Sequence, residues 1–398
     1  MNLNYHNPFE QKHVFSSPTK IIFGVGVLEN IINELKMLNQ EKVLIITDKV
    51  INETEPVKRF ISVLSSNGFK PKVFISEIKE PTLEMVNQFI DFVRKEKDGI
   101  IMGIGGGSIM DQAKVASVLA TNEGEFEKYI GVEKVENEGL PLLLVPTTAG
   151  TGAETSKNAV IKGKDKKLII STQKILPDLA IIDPLLTVSL PPRPTGFTGM
   201  DALSHATETI ISTKCNSMVM ANSLEAISLI NKNLPIAFYS GYNIEARYNM
   251  CMAATLAGLS LNGGAVLAHS ASYTLEPFGA PHGLGCAIAL PYVIKFNAPV
   301  MIDKMQRIAM ALDLFDERIN DPIETAQYVV DRVSQLNAIV NIPLNLESMS
   351  ISKEKARELG EECFEKYTRP NNPRTYSKED IIKLYEQMWS GDLTIDNM

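Results

Sequence analysis

Gly99-Ile100-Ile101-Met102-Gly103-Ile104-Gly105-Gly106-Gly107-Ser108 is the stretch that decides the fold. Its apolar run reads as a buried strand, and its glycines end that strand just before residues with helical spacing, from about Ile109 to Ala120. A strand running through glycines into a helix N-terminus brings open backbone and a positive dipole end to one place. Three consecutive glycines exceed what a tight turn requires, so the loop suits an anion such as a pyrophosphate. Gly106, Gly107 and Ser108 are its candidate contacts. The spacing matches neither GxGxxG nor a P-loop, because no GK[ST] follows.

Outward from this loop the same alternation repeats. Val43–Asp48 and Lys72–Ser76 read as strands, Pro56–Asn67 and Thr82–Lys95 as helices, and Pro141–Pro146 as a further strand. Alternating strands and helices predict a parallel sheet with covering helices. Near Leu190-Pro191-Pro192-Arg193-Pro194 the character changes. Beyond it the chain is rich in Ala, Met and Leu with helical period, ending in a loop around Tyr367–Tyr376 and a last helix over Lys378–Met388. The expectation is an α/β Rossmann-like domain over residues 1–188 and an all-α domain over 189–398.

Bulk properties narrow the function. The chain has 398 residues, 44% of them hydrophobic, and a net charge of -8. Its acidity and lack of a basic stripe argue against nucleic acid. The N-terminus has no apolar signal region, and no uncharged apolar run approaches a membrane span in length. The four cysteines, Cys215, Cys251, Cys286 and Cys363, form no CxxC and read as reduced thiols. A cytoplasmic protein with a small-molecule substrate is the resulting expectation. Lys162-Gly163-Lys164-Asp165-Lys166-Lys167 reads as a lysine-rich loop.

Two further segments carry candidate chemistry. Asp48 closes the first strand of the alternating unit, where a carboxylate accepts hydrogen bonds from ribose hydroxyls and repels a 2′-phosphate. It therefore favours NAD over NADP; helix capping is an equal alternative for such an aspartate. Pro146-Thr147-Thr148-Ala149-Gly150-Thr151-Gly152-Ala153-Glu154 follows the fourth of these strands with hydroxyls and flexible backbone at the sheet's C-terminal edge, where ligands sit.

Of the five histidines, His6 and His13 lie in the polar N-terminal stretch. Asp201 and His205 stand four apart on a helical segment and share a face. His269 lies in a small-residue segment read as a helix from Leu261, and His282 at a turn before an apolar run. All three of these histidines sit among small or apolar residues, where an unpaired imidazole is unfavourable. One carboxylate and three imidazoles suit Fe(II) or Zn(II), and suit Ca or Mg poorly.

Together these segments resemble the group III, metal-dependent (iron-containing) alcohol dehydrogenases over nearly the whole chain. The resemblance rests on Gly105–Lys114, Pro146–Glu154, Gly199–His205, Pro281-His282-Gly283 and Asn371-Asn372-Pro373-Arg374. It implies a metal held by Asp201, His205, His269 and His282, and a cofactor in the cleft between the two domains. It also implies that Asp48 faces the adenosine ribose and that Gly106, Gly107 and Ser108 hold the pyrophosphate. Thr147, Thr148, Thr151 and Ser156 would line the nucleotide, Lys167 would reach the nicotinamide ribose, and the assembly would be a homodimer.

The chain departs from the family twice. A histidine common one turn after the third ligand is Tyr273 here, a pattern resembling subgroups that act on acidic aldehydes and sugar acids. An asparagine before Pro81-Thr82 is Glu80. The implied reaction interconverts an alcohol with an aldehyde or ketone. The alternatives weighed are a dehydroquinate-synthase-like lyase, for which only Arg193 offers a nearby cationic grip, and a non-catalytic nucleotide binder.

Overall fold

The structure is a computed structural model that describes residues 15–77, 81–164, 166–314 and 321–395. His6, His13 and Glu80 lie outside the described residues. Nine strands are described: β1 Lys20–Phe23, β2 Lys42–Asp48, β3 Lys70–Ser76, β4 Ile100–Gly105, β5 Gly131–Val132, β6 Leu142–Pro146, β7 Asn158–Lys162, β8 Lys167–Ser171 and β9 Leu179–Ile182. Six of them form one sheet in the order β1-β9-β6-β4-β2-β3, and every pairing in it is parallel.

The strands are apolar on both faces because both faces are covered. Along β2, Val43 and Ile45 point into the core under helix Glu55–Ser66, while Leu44 and Ile46 point the opposite way, towards helices Leu83–Glu96 and Gly107–Leu119. The period-2 alternation thus divides one continuous hydrophobic run between two cores. Helix bounds follow local chemistry: Thr82 caps Leu83–Glu96 by accepting from Met85 N, and Pro56 stands in the first turn of Glu55–Ser66.

A three-stranded sheet, β5-β8-β7, was not foreseen. The lysine cluster read as a loop spans the connection between β7 and β8, with Lys162 and Lys167 at its ends paired opposite each other in the antiparallel register. The buried Lys114 ties this sheet to helix Gly107–Leu119 by donating to Ser156 O at 2.8 Å and Asn158 O at 2.9 Å, while Asp111 Oδ2 accepts from Val160 N at 3.0 Å.

All nine strands precede Asp183, and the major helices that follow begin at Pro192. Their shared core runs from Met200 to Met388. The segment around His269 differs from its expected single helix. Ile244–Ser260 ends in a short 3-10 turn at Leu261–Gly263, and a separate helix, Leu267–Leu275, sets off after a bend of 108°. That break turns His269 into the space between Pro192–Ile211 and His282–Asn297. Among the described residues, His282–Val300 is long and apolar enough to cross a bilayer, a length not foreseen, yet 83% of it is buried inside the protein. It is the central helix of the C-terminal core.

Candidate metal and cofactor site

Three helices build one cluster. Helix Pro192–Ile211 presents Asp201, His205 and Glu208, spaced i, i+4 and i+7 and therefore on one face. Leu267–Leu275 supplies His269, and His282 opens helix His282–Asn297. The third helix comes close because residue 283 is glycine: a Cβ there would stand 2.6 Å from Phe197 O and 3.0 Å from Asp201 Cβ.

Asp201 Oδ1 lies 4.0 Å from His269 Nε2 and 3.9 Å from His282 Nε2. The His205 and His269 rings stack with centroids 4.5 Å apart. The tightest grouping, with ligand atoms all within 4.8 Å of one another, comprises Asp201, His269, His282 and Cys286. His205 stands beside that group and outside it. Cys286, read from sequence as an ordinary reduced thiol, belongs to it, one helical turn after His282 with its Sγ 3.7 Å from His282 Nε2.

These residues fit a metal ion. Asp201 Oδ1, His205 Nδ1 and His269 Nε2 are buried and have no hydrogen-bond partner. Such unsatisfied polar atoms in an apolar interior are unfavourable unless something binds them, and those of Asp201 and His269 lie 4.0 Å apart. Burial works to raise the Asp201 carboxyl, but the imidazoles of His205, His282 and His269 together hold it below its usual value. Burial, with His205 and His282 nearby, pushes His269 well down. An ionised carboxylate and a neutral imidazole are the forms that ligate.

Two partners orient the ring nitrogens, and spacing alone did not reveal them. His269 Nδ1 pairs with Glu208 Oε2, and Glu208 Oε1 accepts from Ala268 N at 2.5 Å. Burial pushes Glu208 up to about 7, against the Ala268 N–H bond and the Arg369 charge. Ser272 Oγ lies 2.9 Å from His282 Nδ1. In both cases the outer nitrogen is engaged, which leaves Nε2 for the site. The i+3 step from His205 to Glu208 was the available signal.

Tyr273 stacks on His282, with centroids 5.5 Å apart and planes 22° apart. Burial raises its phenol above the ordinary value, so it keeps its proton at neutral pH. Lys167 Nζ sits 5.9 Å from the Tyr273 ring and is paired with Glu276 Oε2 at 2.8 Å. Lys167 thus links the small sheet to the helices beside the histidines.

The glycine loop lies at the C-terminal end of the sheet. Gly106 precedes the helix without a side-chain cap. Residue 107 must be small, because a Cβ there would meet Thr151 Cγ2 at 2.7 Å. Thr147 N donates to Gly105 O, and Thr148 is the nearest neighbour of the space beside Gly106, so Thr147, Thr148 and Thr151 all border the loop. Ser156 is turned elsewhere: its Oγ accepts from Asn158 N, and it lines a cleft with Ser16, Gln173 and Asn262 that includes no glycine-loop residue. Asp48 caps the short helix Lys49–Asn52 through Oδ1, which accepts from Val50 N at 2.8 Å and Ile51 N at 2.9 Å. Its Oδ2 has no partner among the described residues. Arg193 is exposed at the start of helix Pro192–Ile211.

The model of the iron-containing alcohol dehydrogenases matches residues 18–184, and that of the family's C-terminal domain matches residues 195–389. The chain belongs to the iron-containing alcohol dehydrogenase family. Among its relatives is long-chain-alcohol dehydrogenase 1 of Geobacillus thermodenitrificans, 32% identical over 93% of this chain and 95% of that one. Among solved structures, a 1,3-propanediol oxidoreductase superposes with a TM-score of 0.91 at 28% identity, covering 95% of this chain and all (100%) of that one. The sulfoacetaldehyde reductase of Bifidobacterium kashiwanohense, in complex with NAD+, superposes with a TM-score of 0.87 at 27% identity, covering 96% and 100%. The protein is an oxidoreductase of the alcohol dehydrogenase type, with the α/β and helical architecture of the family.

Proposed function

We propose that this dehydrogenase transfers hydride reversibly between NAD and a polar or acid-bearing alcohol or aldehyde, with Fe(II) or Zn(II) held by Asp201, His205, His269 and His282. The observation that carries the metal assignment is that Asp201 Oδ1 and His269 Nε2, both buried and without hydrogen-bond partners, lie 4.0 Å apart, with His282 Nε2 3.9 Å from the same oxygen. A bound divalent ion supplies Lewis acidity to the alcohol or carbonyl oxygen, and the nicotinamide supplies the hydride chemistry.

The chain's own residues do the rest. The glycine loop and its threonines receive the cofactor's phosphates at the helix N-terminus. The carboxylate of Asp48 favours NAD, since its charge repels a 2′-phosphate. Lys167 reaches towards the nicotinamide side, whereas Ser156 faces a separate cleft and takes no part in the lining. Glu208 and Ser272 hold the outer nitrogens of His269 and His282. Tyr273 keeps its proton and offers it as a hydrogen-bond donor at the open edge of His282, where many relatives place a histidine. The sulfoacetaldehyde reductase among the structural neighbours supports an acid-bearing substrate.

The proposal includes a division near residue 188, a homodimer and a cytoplasmic setting, supported respectively by the change from strands to helices, by family resemblance and by four free cysteines. The test is oxidation of NADH and NADPH with a panel of neutral and acidic aldehydes, after loading with Fe(II) or Zn(II). Consumption of NADH with an acidic aldehyde is expected. No turnover with any aldehyde and either metal would sink the proposal.

A further inference from the structure

The cluster has a closed side and an open side. The side chains of Asp201 and His269 are 3% and 6% exposed, whereas that of His282 is 30% exposed. Beside His282 stand Tyr273, Tyr367 and Arg369, all only partly buried. The Tyr273 ring lies 5.1 Å from that of Tyr367, and the Arg369 guanidinium lies 6.0 Å from the Tyr273 ring centroid. These side chains therefore lie on the exposed side of the cluster, next to its most accessible ligand candidate.

Arg369 is held in place. Its Nε donates to Ser270 Oγ at 2.9 Å, and Ser270 Oγ donates to Tyr367 O at 2.7 Å. Its backbone N donates to the Tyr376 hydroxyl at 2.7 Å. Ser270 is fully buried and follows His269 directly, so the guanidinium is anchored to the same helix as a metal ligand. Glu208 feels this charge from within the core, but among the described residues no carboxylate forms a direct ion pair with Arg369. The other cation at the Tyr273 ring, Lys167, has Glu276. A partly exposed guanidinium anchored through Nε beside the Tyr273 ring is a preorganised fork for a carboxylate, sulfonate or phosphonate.

We propose that Arg369 determines specificity by binding an oxyanion carried on the substrate, at the end remote from the reacting oxygen. This deepens the hydride-transfer reading above and rests on it. An aldehyde bearing a carboxylate or sulfonate would be turned over with lower KM than its neutral analogue.

The experiment compares wild type, Arg369→Gln and Arg369→Lys with succinic semialdehyde, sulfoacetaldehyde and butanal. A lost charge-assisted contact predicts that Arg369→Gln lowers kcat/KM for the two anionic aldehydes about 10- to 100-fold, mainly through KM. Butanal should change less than about twofold, and Arg369→Lys should fall between. Equal losses on all three aldehydes would mark Arg369 as merely structural and overturn the proposal. So would an unchanged Arg369→Gln, or a wild type with no preference for anionic aldehydes that it reduces. Calorimetric binding of propane-1-sulfonate and butyrate separates the two readings. If no aldehyde is reduced, the hydride-transfer reading fails. Weaker binding to Arg369→Gln still upholds the oxyanion site, and equal binding removes it.

Discussion

Replacing Glu208 by Gln tests how the fold prepares His269. Glu208 is fully buried and uses both oxygens, one on Ala268 N and one on His269 Nδ1. Above about pH 7, where Glu208 is ionised, its carboxylate accepts only, so His269 carries its proton on Nδ1 and turns the Nε2 lone pair towards Asp201. Glutamine has one acceptor and one amide donor group. If its oxygen keeps the Ala268 N–H, its NH2 faces Nδ1, and the imidazole proton moves to Nε2, the atom that must be bare. If the amide flips, Ala268 N–H loses its acceptor. Removing such an orienting partner lowers metal affinity about 10- to 100-fold, which is about 1.4–2.8 kcal/mol at about 1.4 kcal/mol per decade. The assay is competition for Fe(II) or Zn(II) against a chelator of known affinity, with thermal unfolding of the apo and loaded forms. The apo form should lose little stability while the glutamine oxygen keeps the Ala268 N–H and its NH2 donates to Nδ1. The loaded form should lose stability in proportion to the affinity loss. Metal affinity within about twofold of wild type would refute the tautomer argument.

Other perturbations probe separate parts of the molecule. His269→Ala should remove bound metal and turnover together, read by metal analysis alongside NADH oxidation; a metal-free variant with full activity would defeat the metal assignment. Asp48→Ser should raise NADPH use relative to NADH, since it removes the repelling charge while keeping a capping oxygen; an unchanged cofactor ratio in kcat/KM would show that Asp48 only caps its helix. Gly152 has φ +59, and a Cβ there would sit 2.4 Å from Gly258 Cα. Gly152→Ala should therefore destabilise by about 1–3 kcal/mol through overpacking, measured by chemical denaturation, and a wild-type midpoint would contradict that contact.

The alternating half was legible because burial on both faces of a parallel sheet leaves an unmistakable mark. Leu44 and Ile46 serve one core while Val43 and Ile45 serve the other, so the run is hydrophobic throughout. The β5-β8-β7 sheet was not legible. Its strands are short and mixed in polarity, and they are held by Asp111 and Lys114 from a distant helix. The break before Leu267 was hidden for a related reason: small residues suit both a continuous helix and a bend, and only packing against Pro192–Ile211 decides between them.

Periodicity and residue chemistry by themselves determined that Asp201 and His205 share a helical face, that a glycine loop follows β4, and that His269 and His282 are candidate ligands. Those are properties of one segment at a time. Tertiary structure alone decided what meets what: Glu208 behind His269, Ser272 behind His282, Cys286 inside the ligand group with His205 at its flank, and Arg369 beside Tyr273. These contacts join residues up to about a hundred positions apart, as Arg369 and Ser270 are. No local period records them, because they arise only when three helices close over one apolar interior and each buried polar atom must find a partner or bind a ligand.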